Sequence, residues 1–81
     1  MFLEFRRVKP NKEDDYLRAL GANIRQIRKT KSITMEGLAN DADIEYRQLG
    51  RIERGEINTS VISLLKIANV LKVSLVDFFT F

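Results

Sequence analysis

Three arginines, Arg47, Arg51 and Arg54, lie within one short stretch of the sequence, DIEYRQLGRIERG. A guanidinium group stays charged and presents a planar fork of N–H donors, which matches the paired oxygens of a carboxylate or a phosphate. At about 100° of rotation per residue, the three side chains fall within about 60° of one another, on the side of a helix opposite its apolar residues. The stretch therefore presents either an ordinary solvated face or a surface for an anionic partner. Gly50 is expected on the same outer side, where a residue without a side chain would let a partner approach closely.

Glu53 belongs to the same stretch but lies at the margin of its apolar side, away from the arginines. On an earlier helix, Arg28 lies in the same way at the margin of an apolar stripe formed by Leu20, Ile24 and Ile27. Opposite charges at the margins of two facing apolar stripes are expected to pair, and the arginine fork suits a carboxylate. We therefore predict that Arg28 and Glu53 form a partly buried, structural ion pair.

The composition excludes several kinds of site. Among 81 residues there is no cysteine and no histidine, so disulfides, thiolate metal sites and catalysis by Ser-His or Cys-His pairs are excluded. No spacing of Asp and Glu resembles a calcium-binding loop, and no catalytic residue, metal or cofactor is predicted. The start of the chain, MFLEFRRVKP, has charges too early for a signal peptide, and no apolar run reaches the roughly 18 residues that cross a membrane. We expect a cytoplasmic protein that is not an enzyme.

Positive charge is concentrated in one part of the chain. The net charge is only +3, but residues 16–35 contain no acid and several basic residues, which are Arg18, Arg25, Arg28, Lys29 and Lys31. Such a cluster attracts phosphate groups, although a solvated helix face has the same composition.

The apolar pattern predicts one all-α domain of four to five helices at 11–81, preceded by an arm or edge strand at 1–10. The expected caps and turn residues are Asn11 for the first helix, Thr34 for the second, Asp43 for a left-handed turn, Gly55 after the third helix at 45–54, Ser60 or Thr59 for the fourth, and Ser74 with Asp77 for a last short helix. In the fourth helix, the residues expected to face inward are Val61, Leu64, Leu65, Ala68 and Leu71.

The stretches IRQIRKTKSITMEGLANDADIEYRQLGRIERG and SVISLLKIANVLKVSLVDFF resemble the helix-turn-helix domain of phage repressors and xenobiotic-response-element regulators. The resemblance runs from about Leu20 to Phe79 and depends on an ordered set of positions, which are Leu38-Ala39, Ile44, Leu49, Ile52-Glu53-Arg54-Gly55 and Leu64-Leu65-Lys66-Ile67-Ala68. It implies a compact five-helix, lambda-repressor-like fold with the helix-turn-helix at 34–54. In this family the positions of Arg28 and Glu53 commonly form an internal ion pair, in agreement with the helical-wheel argument.

The resemblance also implies that the third helix enters the major groove of double-stranded DNA. The residues where base-reading side chains sit are then Glu45, Tyr46, Arg47 and Arg51. Arginine suits guanine, whose O6 and N7 accept two hydrogen bonds, and each good pair gives about 1–3 kcal/mol of discrimination. Phosphate contacts, which position a domain without reading sequence, are expected from Arg25, Lys29, Thr34, Met35, Asn58 and Thr59.

Three positions depart from the family's pattern. Met35 stands where a glutamine that touches DNA is common, and a thioether cannot donate a hydrogen bond. Asp43 replaces the usual glycine of the turn, and Glu45 replaces the usual serine or threonine cap. Both acids place negative charge near the expected phosphates.

The family usually binds near-palindromic sites as dimers, so the resemblance implies a homodimeric, sequence-specific regulator of transcription. The end of the chain offers an apolar surface for a dimer contact through the C-terminal helix, at Phe78, Phe79 and Phe81. The arm at 1–10 is a second candidate, as a pairing strand. The alternative is an antitoxin-like or adaptor module that acts mainly through protein–protein contacts, which the departures from the family pattern and the aromatic tail favour.

Overall fold

The structure of the protein, a computed structural model, describes residues 12–81. Four α-helices precede one 3₁₀ helix, in the order α1 (Glu13–Thr30), α2 (Met35–Ala42), α3 (Tyr46–Glu53), α4 (Val61–Leu71) and the 3₁₀ helix Leu75–Phe79. The described residues contain no strand, and the predicted all-α fold is confirmed. The cap of α1 is Lys12, one residue after the predicted Asn11. The arm predicted at 1–10 lies outside the described residues.

Short polar side chains fix where the later helices begin. At the start of α2, the Thr34 hydroxyl accepts a hydrogen bond of 3.0 Å from a backbone amide. At the start of α4, the Ser60 hydroxyl accepts an equivalent bond of 3.0 Å. The 3₁₀ helix starts with a capping box formed by Ser74 and Asp77. Each bond satisfies an amide that the helix itself leaves unpaired. These caps were predicted from the sequence and are confirmed.

The four α-helices all end in the same way. Just past each helix, one residue takes a left-handed backbone, and the next amide donates to a carbonyl five residues earlier, which is the Schellman motif. The left-handed residues are Ser32 (φ 58°), Asp43 (φ 57°), Gly55 (φ 71°) and Lys72 (φ 59°). The left-handed turn predicted at Asp43 is confirmed. Only one of the four is glycine, which adopts this conformation without steric cost.

One hydrophobic core joins side chains from every helix. In α4 the buried residues are Leu64, Ile67, Ala68 and Leu71. Val61 and Leu65, which the sequence places inward, are instead exposed. Apolar residues occur all around α4, so their spacing alone does not define which side faces the core.

The end of the chain folds back on α1. Phe78 is fully buried, and the side-chain amide of Asn23 donates to the carbonyls of Phe78 at 3.0 Å and Thr80 at 3.1 Å. The ring of Phe81 packs edge-on against Tyr16, with centroids 4.9 Å apart. The prediction that Phe78 belongs to a dimer interface is therefore wrong, because its ring completes the core of its own domain.

The helix α1 crosses the end of α3 at very short range. A Cβ atom added to Gly21 would lie against the carbonyl oxygens of Ile52 and Glu53. One added to Gly55 would lie 2.5 Å from the Cα atom of Arg18. Because a side chain does not fit at either point, these two glycines allow the backbones to touch and fix how α3 sits on α1.

Arg28 of α1 and Glu53, the last residue of α3, form a buried ion pair with two hydrogen bonds, 2.7 Å from Nε to Oε2 and 3.0 Å from Nη2 to Oε1. The remaining nitrogen, Nη1, donates to the carbonyl of Ile33 at 2.9 Å. The structure therefore contains the pair that the helical wheel predicts. It ties α1, the α1–α2 loop and α3 together.

We predict that Glu53→Gln lowers the free energy of unfolding by about 3–5 kcal/mol, because it leaves the buried guanidinium of Arg28 without its counter-charge. In a domain of this size, each 1 kcal/mol corresponds to about 4–8 °C in Tm. Thermal unfolding followed by circular dichroism measures the change. Glu36→Gln, at an exposed carboxylate of α2, is the matched control, and an equal Tm for the two variants would show that the pair is not structural.

Candidate nucleic-acid interface

The outward face of α3 carries the residues that the sequence assigns to base reading. Tyr46, Arg47 and Arg51 are exposed, and so is Glu45 at the N-cap, where its side chain makes no capping bond. Glu45 shares one concavity with the two arginines, and Tyr46 shares a second one with them. In the part of the chain that the structure describes, the guanidinium groups of Arg47 and Arg51 form no hydrogen bond or ion pair. They are therefore available to a partner.

A basic groove runs between α1 and α3. One wall carries the exposed Arg25 and Lys29 of α1, and Met35, Gly50 and Arg54 line the other. The same three residues also line the second concavity beside the arginines of α3. The groove and the outward face of α3 are therefore continuous, and three predicted phosphate contacts, Arg25, Lys29 and Met35, lie on this side of the domain.

The other phosphate candidates lie at helix starts. Thr34 is exposed, and its hydroxyl accepts the capping bond, which leaves the hydroxyl proton to donate. Met35 is the first residue of α2, where backbone amides have no partner within the helix. Asn58 is exposed and Thr59 is half-buried in the loop before α4, and neither lines the groove. The Thr59 hydroxyl is buried without a hydrogen-bond partner among residues 12–81.

Gly50 lies on the outer side of α3, where it lines the basic groove and the second concavity, but it is buried, and the prediction that a partner can approach it closely is wrong. A Cβ atom at this position would lie 3.0 Å from Nη1 of Arg54 and 3.4 Å from Cε of Met35. The covering side chains come from α2 and from the residue after α3, so a helical wheel drawn for α3 alone does not show them. These two side chains lie over Gly50 and separate it from a partner's backbone.

Glu56 belongs to this surface, although no sequence pattern singled it out. Its carboxylate accepts two hydrogen bonds from Arg54, 2.7 Å from Nε and 3.3 Å from Nη2. This contact raises the pKa of Arg54 and lowers the pKa of Glu56, and the charge of Arg51 lowers the pKa of Glu56 further. Glu56 is therefore ionised at neutral pH and offsets one positive charge of the surface. The turn after α3 brings the two groups together, which helical spacing does not anticipate.

Residues 12–81 contain no group of three or more Asp and Glu side chains placed to hold a metal ion. In the same range, no helix is long and apolar enough to cross a membrane. The chemistry of this surface is that of arginine, lysine and tyrosine side chains and of unpaired helix amides.

Known proteins similar to this chain are regulators. The chain is 32% identical over 66 residues to an uncharacterised HTH-type transcriptional regulator, y4dJ, of Sinorhizobium fredii, with 82% of this chain and 86% of the relative covered. The fold of this chain is similar to that of the restriction-modification controller protein C.AhdI of Aeromonas hydrophila, with a TM-score of 0.76, 30% identity, and 78% of this chain and 96% of that chain covered. The clp gene regulator ClgR of Corynebacterium glutamicum is also similar, with a TM-score of 0.75, 30% identity, and 78% of this chain and 67% of that chain covered.

The sequence of this chain also matches a known protein family. Residues 24–78 match the helix-turn-helix family HTH_3. The resemblance drawn from the sequence is confirmed, and so is the prediction of a DNA-binding regulator rather than an enzyme, because the family and the relatives are regulators. The chain belongs to the HTH_3 helix-turn-helix family of transcriptional regulators.

Proposed function

We propose that this protein acts in the cytoplasm as a sequence-specific regulator that binds a near-palindromic operator as a homodimer. The recognition element is α3 with its cap, residues 45–54, placed in the major groove. The supporting observation is that Arg47 and Arg51 project from the outward face of α3 and form no hydrogen bond or ion pair among the described residues. Duplex DNA supplies hydrogen-bond acceptors for both guanidinium groups, together with negative charge.

Base reading is shared among four side chains of the recognition element, from its N-cap to its last turn. Arg47 and Arg51 each donate two hydrogen bonds to O6 and N7 of a guanine. Glu45 accepts from N4 of a cytosine, and Tyr46 contacts a base edge or a phosphate. The phosphate contacts that hold the domain in register come from Arg25, Lys29, Thr34, the amide of Met35, Asn58 and the backbone of Thr59, whose hydroxyl is buried.

The test is selection of bound duplexes from a random pool by the purified chain at about 150 mM salt, where non-specific dissociation constants are on the order of 10⁻⁴ to 10⁻⁶ M. We expect enrichment of an inverted repeat whose half-sites lie about one helical turn apart. Arg47→Gln and Arg51→Gln should each weaken binding to that site by about one to two orders of magnitude. Arg18→Gln, at an exposed arginine outside the groove, should change it little.

Selection without enrichment from a folded chain would contradict the proposal. It would favour the adaptor function, in which the arginines of α3 are not base readers. Under that function, the double substitution of Arg47 and Arg51 leaves protein binding intact.

A neutral apolar patch on α4 fits the homodimer contact. Val61, Ile62 and Leu65 are 65%, 61% and 42% exposed, and residues 57–65 carry no charge. A two-fold axis places the same patch of both subunits face to face, so a neutral patch avoids repulsion between like charges. The loop at 54–60 joins this patch directly to α3, and a contact here sets the distance between the two recognition helices.

We predict that Ile62→Asp converts the dimer into a monomer, because it places two carboxylates at the two-fold axis. Sedimentation equilibrium measures the mass, and affinity for the full operator should fall while affinity for a single half-site stays the same. Val76→Asp is the matched control, since Val76 is 67% exposed on the 3₁₀ helix. If Val76→Asp breaks the dimer and Ile62→Asp does not, the contact lies at the C-terminal segment instead.

We predict that Glu56→Gln strengthens DNA binding, because it removes a negative charge beside the arginines of α3 and releases Arg54 from its ion pair. The slope of log affinity against log salt concentration should steepen by about one unit. Fluorescence anisotropy across a salt series measures both quantities. Glu13→Gln, at an exposed acid in the first turn of α1, removes an equal charge elsewhere, and an equal response of this control would contradict a local role of Glu56.

A further inference from the structure

Met35 occupies a central position on the recognition surface. It is half-buried, and its Cε atom lies over Gly50, 3.4 Å from where a Cβ atom would be. It lines the same concavity as Tyr46, Arg47 and Arg51, and it meets Tyr46 again in a neighbouring concavity. An apolar thioether and an exposed aromatic ring are thus held beside the two arginines that are available to guanine.

The chemistry of this corner is apolar within a polar surface. A thioether is a weak hydrogen-bond acceptor and no donor, so the side chain of Met35 suits neither a phosphate nor the polar edge of a base. It is, however, polarisable and adapts to an irregular apolar contact. On the major-groove edges of the four standard bases, the apolar group is the C5-methyl group of thymine. The same methyl group in the same position is present in 5-methylcytosine.

We propose that Met35 and Tyr46 form an apolar reader for the C5-methyl group of a pyrimidine that lies next to a guanine bound by Arg47 or Arg51. This inference rests on the proposed binding of DNA by α3 and adds the base class read beside the guanine. The end of Met35 lies over Gly50, at an ordinary van der Waals distance from where a Cβ atom would be. The backbone amide of Met35 remains at the start of α2 and keeps its separate role toward phosphate.

The experiment deletes one methyl group at a time from the DNA. Each thymine of the selected operator is replaced in turn by deoxyuridine, which lacks only the C5-methyl group, and the Kd is measured by fluorescence anisotropy. We expect the Kd to rise about fourfold at one position in each half-site. This factor corresponds to the transfer free energy of one methylene-sized group. Where the selected base is cytosine, 5-methylcytosine should strengthen binding by a similar factor.

Two substitutions assign the effect to Met35. Met35→Gln, which restores a hydrogen-bonding side chain of similar length, should bind thymine and deoxyuridine duplexes equally. Met35→Leu, which stays apolar, should keep most of the difference. Thermal unfolding of both variants shows that they are folded, and Glu36→Gln on the same helix is the control that should leave the methyl effect unchanged.

The results separate this inference from the proposed function. An operator that is selected but shows neither a loss with deoxyuridine nor a gain with 5-methylcytosine at any position overturns the inference and leaves sequence-specific binding in place. A methyl effect that persists in Met35→Gln also overturns it, because another residue then reads the methyl group. Selection that enriches no sequence overturns both.

Discussion

The bidentate contact between Arg28 and Glu53 is the constraint on which the recognition surface depends. The helix α3 has eight residues, too few to be stable alone in water, so its orientation comes from what holds its end. The ion pair fixes the last residue of α3 to α1, and the backbone contact at Gly21 leaves no room for the two helices to slide. Since the same guanidinium donates to the carbonyl of Ile33, it also holds the loop that leads into α2. The outward side chains of α2 and α3 are therefore held in one rigid frame.

The parts of the fold that could be predicted from sequence are those with local signals. The hydroxyl groups of Thr34, Ser60 and Ser74 accept hydrogen bonds from amides two or three residues away. Because donor and acceptor are close in the sequence, these caps can be predicted from it. The faces of α4 have no such signal, because Val61 and Leu65 are as apolar as the buried Ile67. Which of them faces the core depends on how α4 is rotated against the other helices, and that rotation is a property of the packed domain.

The candidate site divides in the same way. The outward direction of Arg47 and Arg51 follows from helical spacing, whereas the contacts of Met35 with Gly50 and of Glu56 with Arg54 depend on how the chain turns around α3. The ion pair of Glu56 with Arg54 reduces the positive charge of the surface, and the apolar side chain of Met35 reduces its polarity. Attraction to any phosphate backbone is weaker on such a surface. Under the proposed binding of DNA, a larger share of the binding energy then comes from base edges, which are the groups that distinguish one sequence from another.

The helix ends have a consequence for how such a domain can change over generations. Ser32 and Lys72 hold a left-handed backbone with a side chain present, at a cost of about 1 kcal/mol or more that glycine avoids. Most substitutions on a binding surface destabilise a fold by a similar amount. A change to glycine at either helix end would offset one such loss without altering the binding surface. Two positions outside the exposed face of α3 can therefore compensate for destabilising substitutions on that face, so its residues can change while the fold persists.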